Sequence, residues 1–162
     1  MQIYLLRHGI AEDARAGQPD AERPLTDEGR EKLRRVLKRA RAADVSPSLI
    51  LSSPYRRAVE TAEVAKTVFG YGGDVVHSRA LVPEASPVDL WAEIRTHKDE
   101  RSVLLSSHEP LMSSTAAFLL DCPALMVDMK KAALVRVDCE RFGPRPKCVL
   151  KWMLTPGLAV EL

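Results

Sequence analysis

The chain has 162 residues, a formal charge of +2 at pH 7, and 46% hydrophobic against 28% charged residues. That length suits one domain spanning 1–162 and is short for two, while so small a charge gives no case for nucleic-acid or membrane-surface binding. No apolar run reaches the roughly 20 residues of a membrane span, and the three cysteines (Cys122, Cys139, Cys148) are odd in number and form no metal-ligand cluster, which fits a reducing compartment.

The first predicted element is a strand at 2–6, an apolar run holding Ile3-Tyr4-Leu5-Leu6 that stops on Arg7-His8-Gly9. A strand ending this way delivers a cation and an imidazole beyond the carboxyl edge of a sheet, where open α/β sheets bind ligands. The glycine allows a sharp turn or close approach there. Because the strand starts almost at the first residue, no room is left for a signal peptide, and a cytoplasmic protein is expected. Arg23-Pro24-Leu25-Thr26 comes next. Arg23 can reach the same pocket or lie on a surface loop, and spacing alone does not separate the two. The helix predicted at 26–43 puts Leu33, Val36, Leu37 and Ala40 on one face, with Thr26 as N-cap and Asp27 and Glu28 in the first turn. Its other positions are strongly basic (Arg34, Arg35, Lys38, Arg39), a solvated face in the plainer reading and a steering surface for an acidic partner in the other.

A strand at 48–52 leads into Ser53-Pro54-Tyr55-Arg56-Arg57-Ala58 and a helix at 54–69, with Ser53 as N-cap, Pro54 at the first position and Gly70 as the stop. Two arginines in a first turn oppose the helix dipole, and a broken local rule marks a candidate site. One of them has room to point back over the strand end; Arg57 is taken as that residue and Arg56 as solvated. Leu81-Val82-Pro83-Glu84 puts a carboxyl group where a further strand would end, before a helix at 87–98 capped by Ser86. The strand at 102–106 runs into Ser107-His108-Glu109-Pro110, which opens a helix at 110–121. His108 thus shares a topological level with His8 and Arg57, whereas His77 and His97 read as ordinary surface residues. Strands at 132–138 and 148–154 have no helix between them and form a hairpin through Gly143-Pro144-Arg145-Pro146. Cys139 and Arg145 have the spacing of a cysteine phosphatase loop, but Pro144 and Pro146 remove its N–H donors and forbid the helix that must come next, so the segment is read as a turn. Alternating elements of these lengths predict an α/β fold, a three-layer α/β/α sandwich on a mostly parallel central sheet.

Arginines around two histidines, without a carboxylate cluster for a metal, make an oxyanion pocket suited to phosphoryl transfer, which needs charge stabilisation and alignment. Histidine supplies a nucleophile by forming a phosphohistidine. It must attack as neutral imidazole, a form that neighbouring arginines favour and that a hydrogen bond at the other ring nitrogen would orient.

Leu-Arg-His-Gly at 6–9, Arg-Pro-Leu-Thr at 23–26 with Gly29, Ser-Pro-Tyr-Arg-Arg-Ala at 53–58 with Thr61, Ser-His-Glu-Pro-Leu at 107–111, and Trp152 with Pro156 together resemble the histidine phosphatase superfamily. Within it they are similar to the short SixA-like branch of phosphohistidine phosphatases. The resemblance implies a phosphoglycerate mutase-like fold without a large lid insertion and a reaction with no metal or other cofactor. It makes His8 the phosphorylated nucleophile, with Arg7, Arg57, His108 and Arg23 holding the phosphoryl oxygens. It also places Glu84 near the general acid of larger members, in a loosely matching segment. The implied substrate is phosphohistidine on a partner protein, since a site without a lid suits a protein-borne group better than an enclosed metabolite. A small phosphomonoester (a sugar or nucleotide phosphate) is the alternative within the same chemistry, and a non-catalytic phosphate or phosphoprotein binding module the alternative outside it. A monomer is the default expectation.

Overall fold

Residues 1–160 are described by a computed structural model. Strand β1 (Gln2–Arg7) is followed by a short 3-10 turn (Asp20–Glu22), helix α1 (Asp27–Ala42), β2 (Leu49–Ser52), α2 (Arg56–Phe69), β3 (Val76–His77), a second 3-10 turn (Arg79–Leu81), α3 (Pro87–Thr96), β4 (Ser102–Ser107), α4 (Leu111–Leu119), β5 (Leu134–Asp138) and β6 (Val149–Leu154). The strands form one six-stranded sheet in the order β3-β2-β4-β1-β5-β6. The β1/β4, β2/β4 and β2/β3 pairs are parallel, and the β1/β5 and β5/β6 pairs antiparallel. Among the described residues no helix is long and apolar enough to cross a membrane.

The continuous apolar run of β1 is explained by burial on both faces of the sheet. Ile3 and Leu5 point into one core with Val103, Leu105, Leu90, Trp91, Ile94 and Leu111, beneath α3 and α4. Tyr4 and Leu6 point into the other with Ile50, Leu104, Leu33, Leu37 and Ala65, beneath α1 and α2. The period-2 alternation of a strand divides its side chains between the two layers, and each fully buried Leu or Ile contributes about 1.5–3 kcal/mol.

The predicted elements are present with shifted ends. Thr26 caps α1 as expected, its hydroxyl accepting the Gly29 N–H at 2.9 Å. Ser86 does the same for α3 at Asp89 (3.1 Å), and Gly70 closes α2 in a left-handed conformation. Helix α2 begins two residues later than predicted, because Ser53 is not its cap; Tyr55 holds that position with no side-chain bond. Helices α3 and α4 stop early, α4 where Asp121 takes a positive φ of 51°. Ala132, at φ 65°, likewise delays β5 to Leu134. No strand ends at Glu84: the segment before it is the two-residue β3 and the 3-10 turn, whose start is capped by Ser78. Cys139 and Cys148 are buried at the edge of the sheet opposite His8, where the Cys139 N–H donates to the Met1 carbonyl (2.9 Å). The Cys139–Arg145 spacing therefore belongs to the β5–β6 connection.

Candidate active site

Strand register builds the site. Arg7 lies opposite Ser107 across β1/β4, and Ser52 opposite Ser106 across β2/β4. The next residues of β1 and β4, His8 and His108, therefore emerge side by side, with Ser53 one register position below them. Backbone bonds continue the ladder past the strand ends, from His8 N–H to the Ser107 carbonyl and from Ser53 N–H to the Ser106 carbonyl, both 2.9 Å. Buried serine hydroxyls close the remaining gaps, Ser106 to the Ala58 carbonyl (2.8 Å) and Ser107 to the Leu81 carbonyl (2.7 Å). Thr61 ties the first turn of α2 to the loop after β1: its hydroxyl donates to the Arg57 carbonyl (2.7 Å) and accepts the Gly9 N–H (3.1 Å). Gly29 admits that loop at its closest approach, since a Cβ there would collide with the Ile10 carbonyl oxygen.

His8 is buried, 7% exposed, and its Nδ1 lies 2.7 Å from the Gly9 carbonyl oxygen. A carbonyl only accepts, so Nδ1 carries the proton and Nε2 presents a lone pair. Arg57 Nε donates to that lone pair at 3.3 Å. Burial, opposed by the Gly9 bond and helped by the charges of Arg57, Arg7 and Lys131, depresses the His8 pKa to about 4. The imidazole is neutral at pH 7.

His108 packs edge-on against His8, with ring centroids 5.2 Å apart, and against Tyr55 at 5.1 Å. Burial, then the neighbouring His8 and Arg57, hold its pKa at about 3. Its Nε2 is 2.8 Å from the Ser53 hydroxyl, whose oxygen already accepts the Tyr55 N–H at 3.2 Å. Among the described residues the Ser53 proton has no other acceptor, so Ser53 donates to Nε2 and the His108 proton sits on Nδ1. That Nδ1 is buried and unpartnered, and so is Arg7 Nε.

Arg57 is the inward arginine, its side chain 6% exposed, while Arg56 lies outside and pairs with Glu60 at 3.2 Å. Arg7 donates through Nη1 to the Met129 carbonyl (2.8 Å), and burial lowers its pKa. Arg23 comes close through an intermediary that the sequence did not suggest, Asp20. The Asp20 carboxylate takes Arg23 Nε at 2.8 Å and Arg57 Nη2 at 3.1 Å, and its backbone carbonyl takes Arg57 Nη1 at 2.9 Å. Glu84 is exposed at the rim, its carboxylate 3.4 Å from the Tyr55 hydroxyl. Tyr55, also missed, lies beneath the Arg57 guanidinium at 5.1 Å from its ring centroid. The one available sign of Asp20 was an acid three residues before Arg23, an ion-pair spacing common on any exposed turn. Among the described residues no group of three His, Cys, Asp or Glu side chains has the arrangement of a metal site.

Comparison with known proteins identifies relatives of the chain. A family model of the histidine phosphatase superfamily (branch 1) matches residues 3–82, which carry Arg7, His8, Arg23 and Arg57. The chain is 28% identical to the phosphohistidine phosphatase SixA of Escherichia coli (strain K12), over 96% of this chain and 94% of that one. The structure of the protein histidine phosphatase SixA complexed with tungstate superposes with a TM-score of 0.86 at 26% identity, covering 97% of this chain and 98% of that one. A mycobacterial glucosyl-3-phosphoglycerate phosphatase shares the fold at a TM-score of 0.70 and 20% identity, over 93% of this chain and 96% of its own. With this sheet, these strand-end residues and these relatives, the chain is similar to members of the histidine phosphatase superfamily.

Proposed function

We propose that this protein is a phosphatase working through a phosphohistidine on His8, with phosphohistidine on a partner protein as substrate. The observation that carries the chemistry is the Nδ1–H of His8 on the Gly9 carbonyl, which leaves a neutral, buried Nε2 facing Arg57. Nε2 attacks phosphorus, and the bond to the leaving group breaks as the new N–P bond forms. Arg7, Arg57, Arg23 and His108 hold the phosphoryl oxygens, and guanidinium groups supply the positive charge, so no metal is called for. The Nδ1 proton stays in place through both steps. The phosphorylated ring is therefore a cation, stabilised by the Gly9 carbonyl, and departs as neutral imidazole when water attacks.

The substrate class rests on the SixA relatives and on the leaving group. A protonated N-phosphoryl imidazole expels neutral imidazole without an acid, so an exposed Glu84 at the rim suffices. For a small phosphomonoester, the leaving alkoxide needs a proton donor, and Glu84 would have to supply it. The flank of the site also suits a protein surface: Arg7 borders a cavity of about 570 Å³ lined by Lys32, Lys130 and Lys131.

The test is phosphate release from a phosphohistidine-bearing carrier protein and from a panel of small phosphomonoesters, with His8→Ala as the blank. A higher kcat/KM on the carrier, with label trapped on His8 after rapid acid-free quenching, is expected. Turnover by clean His8→Ala protein overturns the mechanism, and a preference for a small ester overturns the substrate.

A further inference from the structure

Asp20 sits on two of the arginines assigned above to the phosphoryl oxygens. Each of the three guanidinium nitrogens of Arg57 already has a protein partner: Nε the lone pair of His8 Nε2, Nη1 the Asp20 carbonyl, and Nη2 the Asp20 carboxylate. Arg23 is committed likewise, Nε to Asp20 and Nη1 to the Glu12 carbonyl at 3.0 Å. One carboxylate thus bridges two arginines with the acceptor chemistry a phosphoryl oxygen would use. Burial works to raise the Asp20 pKa, but the bond from Arg23 and the charge and bond of Arg57 outweigh it and hold it below the ordinary carboxylate value. Asp20 is therefore an anion at neutral pH.

The way Asp20 is mounted differs from the rest of the site. His8, Arg57 and His108 are buried on strand ends and helix α2, whereas the Asp20 side chain is 59% exposed on a three-residue 3-10 turn without a side-chain cap. Its departure into solvent uncovers no core. Charge favours the exchange as well: a carboxylate leaves two guanidinium groups with a net positive charge, and a phosphoryl dianion neutralises both.

We propose that Asp20 is a resident anion, occupying the phosphoryl seat of the free protein on Arg57 and Arg23 and displaced by the phosphoryl group of substrate or by product phosphate. This rests on the phosphatase reading of the same site and adds to it a competitor built into the chain. Its effect is to hold the arginines in place while weakening retention of the phosphate produced.

The experiment is calorimetric titration of the full chain with inorganic phosphate, for the native protein, Asp20→Asn and Asp20→Ala, beside the kinetics of each on an aryl phosphate. Removing an exposed carboxylate that competes for the seat is expected to tighten phosphate roughly fivefold in both variants, with KM falling in step and kcat not rising. Weaker phosphate binding in both variants overturns the proposal, because Asp20 would then orient the arginines for the ligand. Unchanged phosphate binding also overturns it, and if kcat collapses at the same time Asp20 moves a proton instead. The titration needs no turnover, so failure of the phosphatase reading is seen separately, as native protein that binds phosphate yet hydrolyses nothing.

Discussion

Two histidines held neutral in the folded protein make its stability fall with acid in a calculable way. His8 and His108 are 7% and 2% exposed, and their pKa values stand at about 4 and about 3 against an ordinary value near 6.5. Above pH 6.5 both rings are neutral whether the chain is folded or not, and they contribute no pH dependence. As pH falls below 6.5 the unfolded chain takes up protons that the folded one refuses, so stability is lost until the folded rings titrate. At pH 5 each ring is about 1.5 pH steps below its unfolded value, at about 1.4 kcal/mol per step, which gives about 2 kcal/mol each and about 4 kcal/mol together. For a domain with the usual 5–15 kcal/mol of stability this is a large fraction. Urea unfolding monitored by circular dichroism at pH 7 and pH 5 measures it, with a His8→Asn/His108→Asn double variant as reference. The native protein is expected to lose about 4 kcal/mol more over that interval than the variant. Equal losses would refute the claim that burial keeps these rings uncharged, and with it the neutral nucleophile.

The geometry sets two further outcomes. Arg57→Ala removes the guanidinium facing His8 and is expected to lower kcat/KM about 10²–10³-fold, while Arg56→Ala, which loses an exposed pair to Glu60, stays within about twofold; similar losses in steady-state assays would contradict the assignment. Ser53→Ala removes the hydroxyl that donates to His108 Nε2 and is expected to cost up to about tenfold in kcat/KM. The ¹⁵N shifts of His108 should show an Nδ1–H tautomer in the native protein and a mixture in the variant, and an Nε2–H signal in the native protein would contradict the assigned hydrogen bond.

The sheet and the level of the site were legible because one rule governs both. Apolar runs buried on two faces end abruptly, and the residues at their ends, Arg7-His8, Ser53 through Arg57, and His108, lie at one edge when the strands are in register. Helix geometry required only that one of Arg56 and Arg57 turn inward; the family resemblance, whose motif arginine directly precedes the alanine, pointed to Arg57. The features that escaped depend on a side chain having two possible jobs or on contacts distant in sequence. Ser53 has the sequence context of a helix cap, but its oxygen is drawn to His108 and the helix starts later. Asp20 lies in a loop without periodicity, and only the folded chain brings it onto Arg57, 37 positions away. Helix α4 ends before a positive φ at Asp121, a residue type that tolerates that conformation, and strand β5 is delayed by a positive φ at Ala132, which carries no local signal for it.

The bond from His8 Nδ1 to the Gly9 carbonyl has a consequence for regiochemistry. With Nδ1 engaged, the proposed phosphorylation of His8 is directed to the tele nitrogen of the ring, and the pros isomer has no route to form. The acceptor is main chain, belonging to the residue next to the nucleophile. No side-chain substitution deletes it, so choice of isomer is more resistant to mutation than the arginines and histidine around it. A descendant of this chain that changed its substrate, its rim or its resident anion would still carry the phosphoryl group on the same atom.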